Sequence, residues 1–410
     1  MTIHFTSGGR QYSLEALVEK IEYEFALEVR NHPDLLNEAS EPAARRDLIR
    51  DVLDYVLATE SILINRPDRL VLLNTVYNNL FGFGPLHAYL GDEAVTEISI
   101  DAPDRVYVRH GAGDRVSVPE NFTDLPSMER AIDFILATAS VSLHAADPIV
   151  EVGTVIDRRP VRIAAVMPPA SSGLQVNLRL HPVAPGTLDS LVAKKMLDDS
   201  ASRLLKAILG AGSGLMIAGE PGSGKTTLLE ALLPHLPTSG MVVERAAEMR
   251  LPNTLMGLLP TNAPQVIGAP IPSSVSFPDR LAAALTKYPG CLVVDEIRFD
   301  EAVAMWDALT MERKAQLLWA FRGSSNPLRL KAAFSMSVRR ARPGIEQEFI
   351  YSALRDRLPF VALTVRRDQK LCITAIGEWQ PDGEHGEDVR LVTLWPGAGA
   401  APSHRLDWTP

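Results

Sequence analysis

The period of the hydrophobic positions changes along the chain. From about residue 13 to 90 apolar residues recur at helical spacing. Leu14, Leu17, Val18 and Ile21 share one face, and Leu48, Ile49, Val52, Leu53 and Val56 share another. Pro33, Pro42 and Pro67 punctuate the series, which reads as paired helices that pack on a neighbour or carry a docking surface. Past Gly82-Phe83-Gly84-Pro85 the period becomes two. Residues 97–100, 106–108 and 115–118 read as strands, a helix follows from about 127 to 139, and strand-like runs return at 152–156, 161–166 and 176–180. This α+β unit ends near His181, with Pro182-Val183-Ala184-Pro185-Gly186 as a linker. From Leu191 onward helical stretches alternate with short apolar runs at 215–218, 241–243 and 291–294, which predicts a mainly parallel sheet. The end differs again: 360–366 and 371–379 bracket Asp368-Gln369-Lys370 as a β-hairpin, 389–394 is a further strand, and 397–403 reads as flexible. The expected division is 1–70 helical, 71–183 α+β, 184–400 α/β with its C-terminal hairpin, and 401–410 a flexible tail.

Composition narrows the class without choosing a function. At 410 residues the chain predicts about two or three domains, and 46% apolar with 22% charged content is ordinary for a globular protein. A net charge of −9 argues against a dedicated nucleic-acid binder. The basic cluster Arg339-Arg340-Ala341-Arg342 is better read as a solvated helix face, or a phosphate or subunit contact. Two distant cysteines, Cys291 and Cys372, suit a reducing compartment and exclude a disulfide framework. No apolar run approaches the roughly 18 residues of a membrane span, and the N-terminus lacks signal-peptide character. The expectation is a cytoplasmic protein that reaches a membrane through a partner.

The chemistry centres on Gly219-Glu220-Pro221-Gly222-Ser223-Gly224-Lys225-Thr226, which reads G-x-x-x-x-G-K-T. It follows the apolar run 215–218 and precedes helical spacing at 228, 229, 232 and 233, which Pro234 ends. Such a loop turns backbone N–H groups inward as an anion nest at a helix N-terminus. Residues 219–227, including Thr227, are therefore the expected nucleotide contacts. Lys225 would reach the β- and γ-phosphates of ATP, and the Thr226 hydroxyl would take a place on Mg²⁺. The run 291–294 ends in Asp295-Glu296, the expected second half of such a site. Asp295 would hold Mg²⁺ directly or through water, and Glu296 would polarise the attacking water as general base. The alternative use of the same pair, capping a helix N-terminus, is outweighed by the phosphate loop.

With these parts read, the chain resembles the type II/type IV secretion ATPases, especially the tight-adherence pilus branch, over about residues 72–379. Supporting stretches are Phe83-Gly84-Pro85-Leu86, Val95-Thr96-Glu97-Ile98, Asp104-Arg105-Val106-Tyr107-Val108, Arg162 with Val166-Met167-Pro168-Pro169, and Val294-Asp295-Glu296-Ile297-Arg298. The resemblance implies an α/β fold: a RecA-like P-loop ATPase domain preceded by an α+β N-terminal domain and a helical region. It implies ATP and Mg²⁺ as ligands, nucleotide held at a junction of domains or subunits, and a ring-shaped homo-oligomer, a hexamer. It further implies an inner-membrane platform protein of a secretion or pilus system as partner. It places Glu244 and Glu248 in an acidic box supporting metal and water, with Glu244 near the metal. It makes Glu296 the catalytic carboxylate, and Arg162 and Arg179 N-domain arginines facing the phosphates. On residues alone those arginines also suit the wet face of a sheet.

Three departures from the family pattern stand out. Glu244-Arg245 occupies the place of a Glu-Asp pair, and Asp295-Glu296 that of Gly-Glu. Where the family carries Thr-x-His, this chain has Trp319-Ala320-Phe321-Arg322-Gly323-Ser324, and no histidine lies between His235 and His385. Arg322, before the turn-rich 323–327, is the nearest counterpart, and its planar fork of donors suits phosphate. Its alternative is a solvated loop arginine. The reading reached is an ATP-hydrolysing motor coupled to an inner-membrane assembly machine. A RecA-like nucleic-acid motor and a nucleotide-binding assembly factor with little hydrolysis are the alternatives.

Overall fold

The computed structural model describes residues 4–7, 10–39, 41–119, 121–246, 248–258, 276–298, 301–312, 314–383 and 388–397. The predicted tail, 401–410, and nearly all of the predicted flexible stretch lie outside them. Helices Leu14–Asn31, Pro42–Thr59 and Arg66–Phe81 bury Leu17, Ile21, Ile49, Leu53, Leu72 and Val76 in one cluster, the stripe that the periodicity picks out. The expected boundary at residue 70 falls inside the third helix. Since Leu72, Leu73 and Val76 pack with the first two helices, the change of unit comes instead at Gly82, which caps that helix. A small hairpin, His4–Ser7 with Arg10–Ser13, precedes the helices. Its four-residue strands are too short to show alternation in the sequence.

Next comes a six-stranded antiparallel sheet in the order Arg115–Ser117, Arg105–His110, Val95–Ala102, Gln175–Leu180, Arg159–Val166, Ile149–Ile156. One face packs on helix Leu125–Ala137 through Ile98, Val106, Ile132, Ile135, Ile163 and Leu178. That burial fixes where the alternate residues point. Glu97, Glu151, Arg162, Asn177 and Arg179 must all stand on the opposite face, which turns toward the next domain.

The C-terminal domain holds an eight-stranded sheet. Its order is Leu255–Leu258, Gly240–Val243, Cys291–Ile297, Gln316–Arg322, Leu215–Gly219, Phe360–Arg367, Lys370–Asp382, Asp388–Trp395, and neighbouring strands are parallel through the sixth. Lys370–Asp382 and Asp388–Trp395 are each antiparallel to the strand before. The central strands carry continuous apolar runs because both faces are covered. Leu317, Trp319 and Phe321 enter one hydrophobic cluster while Leu318 and Ala320 enter the other, and Met216 and Ala218 divide from Leu215 and Ile217 in the same way. The acid-bearing strand Cys291–Ile297 is separated from the phosphate-loop strand Leu215–Gly219 by Gln316–Arg322. This is a RecA-like sheet. The linker is tied to it, since Gly186 N–H donates to Glu230 Oε2 at 3.2 Å.

Candidate active site

The phosphate loop leaves strand Leu215–Gly219 and enters helix Lys225–Leu232. Gly222 and Gly224 sit at φ +74° and +89°, where a side chain is strained. At Gly219 the constraint is space: a Cβ would stand 2.3 Å from Thr364 O and 2.5 Å from Ser223 Oγ. Ser223 Oγ and Thr364 Oγ1 hydrogen-bond at 2.8 Å, so the C-terminal hairpin supports the loop from behind. Lys225 is buried and its Nζ donates to the carbonyls of Gly219 and Glu220 at 3.1 and 3.0 Å. Burial lowers its pKa; Glu296, with Oε1 at 3.4 Å, opposes that.

The next strand but one supplies the carboxylates. Asp295 is buried, its Oδ1 accepts from Thr226 Oγ1 at 3.2 Å, and its Oδ2 has no hydrogen-bond partner among the described residues. Burial, reinforced by the nearby Glu248, raises its pKa to about 6. Glu296 faces the cavity. Burial alone would raise its pKa, but Lys225 and Arg298 outweigh that and hold it below the ordinary value. Among the described residues no cluster of three His, Cys, Asp or Glu side chains offers an all-protein metal site. A hydroxyl beside a buried carboxylate with an unpartnered oxygen fits Mg²⁺, which keeps several waters and takes one or two carboxylates together with substrate phosphates.

The N-terminal domain forms the other wall. Strand pairing sets Arg162 opposite Arg179, and these two with Ala164 and Asn177 face the phosphate loop, Asp295, Glu296, Arg298 and Arg322 across a cavity of about 200 Å³. Both arginines thus line the cavity. The junction lies between two domains of one chain. Arg250 Nη2 donates to Pro182 O of the linker at 2.7 Å, and Gln369 reaches Asp114 of the N-terminal domain at 3.3 Å. Arg322 ends its strand in register with Gly219 and stands exposed at the cavity rim. Gly219, Glu220, Ser223 and Thr227 do not reach the wall; Glu220 serves the site through its carbonyl and Ser223 through Thr364.

Glu244 and Glu248 also stay behind the wall. Glu244 Oε1 accepts the N–H groups of Glu248 and Met249 at 3.0 and 2.9 Å. Burial, helped by the charge of Asp295, nevertheless raises its pKa to about 8. Burial would also raise Glu248, but His181 and the two N-domain arginines hold it at about 2. Arg162 Nη1 donates to its Oε1 at 3.0 Å. His181 Nε2 lies 3.2 Å from Oε2, an ion-pair distance without hydrogen-bond alignment. Arg245, in place of an aspartate, is buried against Glu301, sits 4.3 Å over the Phe277 ring, and donates to Glu296 O at 3.2 Å. The arginine therefore has its own countercharge and braces the acidic strand. Sequence reasoning missed Glu151, His181, Arg298 and Glu301. Arg298 had a local signal, two positions beyond the carboxylate pair, whereas the others come into reach only through folding.

Fold and site together define an α/β protein of RecA-like build, with a glycine-rich strand-to-helix loop facing an N-terminal domain across one cavity. Residues 82–310 match the family described as type II/IV secretion system protein, and the chain belongs to that family. A Mycobacterium tuberculosis protein named for conjugal transfer is 29% identical over 338 residues, spanning 80% of this chain and 92% of its own length. The type IV secretion system protein VirB11 of Brucella suis is 26% identical over 261 residues, 54% of this chain and 67% of its own. Among solved structures, the Brucella suis VirB11 ATPase with sulphate covers 72% of this chain and 95% of its own at 19% identity, with a TM-score of 0.36. The Legionella pneumophila ATPase DotB covers 73% and 80% at 14% identity, with a TM-score of 0.48.

Proposed function

We propose that the chain is an ATP-hydrolysing motor of a secretion or pilus machine, coupling turnover to movement of an inner-membrane assembly. One observation carries this reading: the loop lysine, the Asp295–Glu296 pair and two arginines from a second domain converge on a single cavity. The loop amides and Lys225 hold the phosphates, and Thr226 with Asp295 would hold Mg²⁺, which neutralises charge on the β- and γ-oxygens. Glu296, kept ionised, polarises the attacking water once phosphate has taken over the charge of Lys225. Arg162, Arg179 and the rim residue Arg322 oppose the charge spread over the transferring phosphoryl group. Glu244 and Glu248 act from behind, the first by fixing the backbone and the second by anchoring Arg162. Since Arg162 and Arg179 belong to another domain, loss of the γ-phosphate changes what holds the domains together, which links chemistry to movement.

The working form in this reading is a cytoplasmic ring of identical chains, a hexamer, that meets the membrane through a platform protein. Among the described residues no helix is long and apolar enough to cross a membrane. The relatives named for conjugal transfer and type IV secretion support a role in secretion, and the net charge of −9 weighs against a nucleic-acid track. The test is Mg²⁺-dependent ATP hydrolysis with and without DNA, beside Lys225→Ala. The expected result is turnover that DNA leaves unchanged and that the variant loses. Stimulation by DNA would favour a nucleic-acid motor, and ATP binding without turnover would make the protein an assembly factor.

A further inference from the structure

Three cations of the cavity, Lys225, Arg298 and Arg162, are already paired, and the pairing runs in a line across the domain junction. Lys225 lies 3.4 Å from Glu296 Oε1, and Glu296 Oε2 accepts from Arg298 Nε at 2.7 Å. Arg298 Nη2 then lies 3.4 Å from Glu151 Oε1, and that same oxygen accepts from Arg162. Glu151 therefore holds one arginine from each domain. It stands on the sheet-edge strand Ile149–Ile156, between buried Val150 and Val152, which turn it toward the junction. Its side chain is one-third exposed, so packing does not explain a glutamate there.

We propose that Glu151 is the counter-ion that the γ-phosphate displaces. The proposal rests on the nucleotide reading of the cavity. Loop amides take the inner phosphates and Lys225 reaches the β- and γ-positions. Glu296, beside Lys225, marks the γ end, so Arg298 and Arg162 face that end as well. A triphosphate brings to it the negative charge that Glu151 otherwise supplies, whereas a diphosphate stops short. Phosphate and carboxylate repel each other and compete for the same two guanidinium groups. With triphosphate bound, both arginines turn from Glu151 to the phosphate; after phosphate leaves, Glu151 takes them back. Because the Glu151–Arg298 contact crosses the junction, the exchange makes domain contact depend on the γ-phosphate. This gives the chain a γ-phosphate response without a histidine between His235 and His385.

Glu151→Gln keeps the shape and removes the charge. Dissociation constants for ADP and for a non-hydrolysable ATP analogue, each with Mg²⁺, are measured by calorimetry on the full chain, with thermal unfolding as a check that the variant is folded. The variant should bind the analogue about tenfold more tightly and ADP within about twofold of the native chain, as expected for removal of one competing charge near the γ-position. An equal change for both nucleotides, or none for either, overturns the proposal. Lys225→Ala separates the two levels. If that variant binds both nucleotides like the native chain, the nucleotide reading itself fails. If it loses them while Glu151→Gln treats both alike, only the displacement by γ-phosphate fails.

Discussion

Strands Gly240–Val243 and Cys291–Ile297 lie side by side and parallel, and both run out into carboxylates at the same edge of the sheet. From the second strand Asp295 meets Thr226 and Glu296 meets Lys225. From the first, Glu244 turns to backbone N–H groups and Glu248 to Arg162 and His181. Their distance from the phosphate loop explains the contrast. One strand separates Cys291–Ile297 from the loop strand, and a further strand separates Gly240–Val243 from it. Four acidic residues are thereby divided into a pair that meets the loop's Thr226 and Lys225 and a pair that holds other protein groups in place.

The largest effect that would break this comparison lies at Glu296. Glu296→Gln should lower turnover by about two to three orders of magnitude while ATP still binds, because the amide cannot act as general base. A variant with near-native turnover would move the base elsewhere, with Asp295 the next candidate. Glu248→Ala should act differently. It leaves Arg162 with Glu151 alone and opens a buried gap beside His181, which predicts a loss of about 1–3 kcal/mol in unfolding free energy and weaker ATP binding. Denaturant titration checks the first and calorimetry the second; a drop in turnover alone would make Glu248 part of the chemistry.

The smallest effect on turnover is expected at Glu244, where pH sharpens the comparison instead. The value of about 8 in the folded chain lies above the ordinary 4.5. The folded state keeps a proton that the unfolded chain gives up, so this group's contribution is intact below about pH 4.5 and is lost as pH rises toward about 8. Glu244→Gln never ionises. Without nucleotide, its stability relative to the native chain should climb from about pH 5 to about pH 8 and level off above that. Parallel pH profiles would mean that Glu244 is charged in the folded protein and belongs with the first pair.

What the sequence discloses follows from how local each feature is. The phosphate loop is eight consecutive residues between a strand and a helix, and Asp295-Glu296 ends a single apolar run, so both are legible from neighbours alone. Apart from the family resemblance, Arg162 and Arg179 are legible only as alternating polar positions. Their facing the cavity depends on which sheet face packs on helix Leu125–Ala137. Glu151 and Arg298 are 147 positions apart and meet through the docking of two domains, which no periodicity encodes. Arg245 looks like a defect in a Glu-Asp pair until Glu301 is brought beneath it. Strand Leu255–Leu258 escaped notice because Met-Gly-Leu carries neither alternation nor β-branching.

The central claim is that one chain supplies both walls of the nucleotide site. The most direct measurement is an electron-microscopy reconstruction of the full-length protein with a non-hydrolysable ATP analogue and Mg²⁺. The account predicts terminal phosphates between Lys225 and the Arg162–Arg179 pair of the same chain, with Mg²⁺ beside Thr226 and Asp295. Phosphates held by the loop while Arg162 and Arg179 of that chain stay turned away, or while a neighbouring copy supplies those arginines, would contradict it.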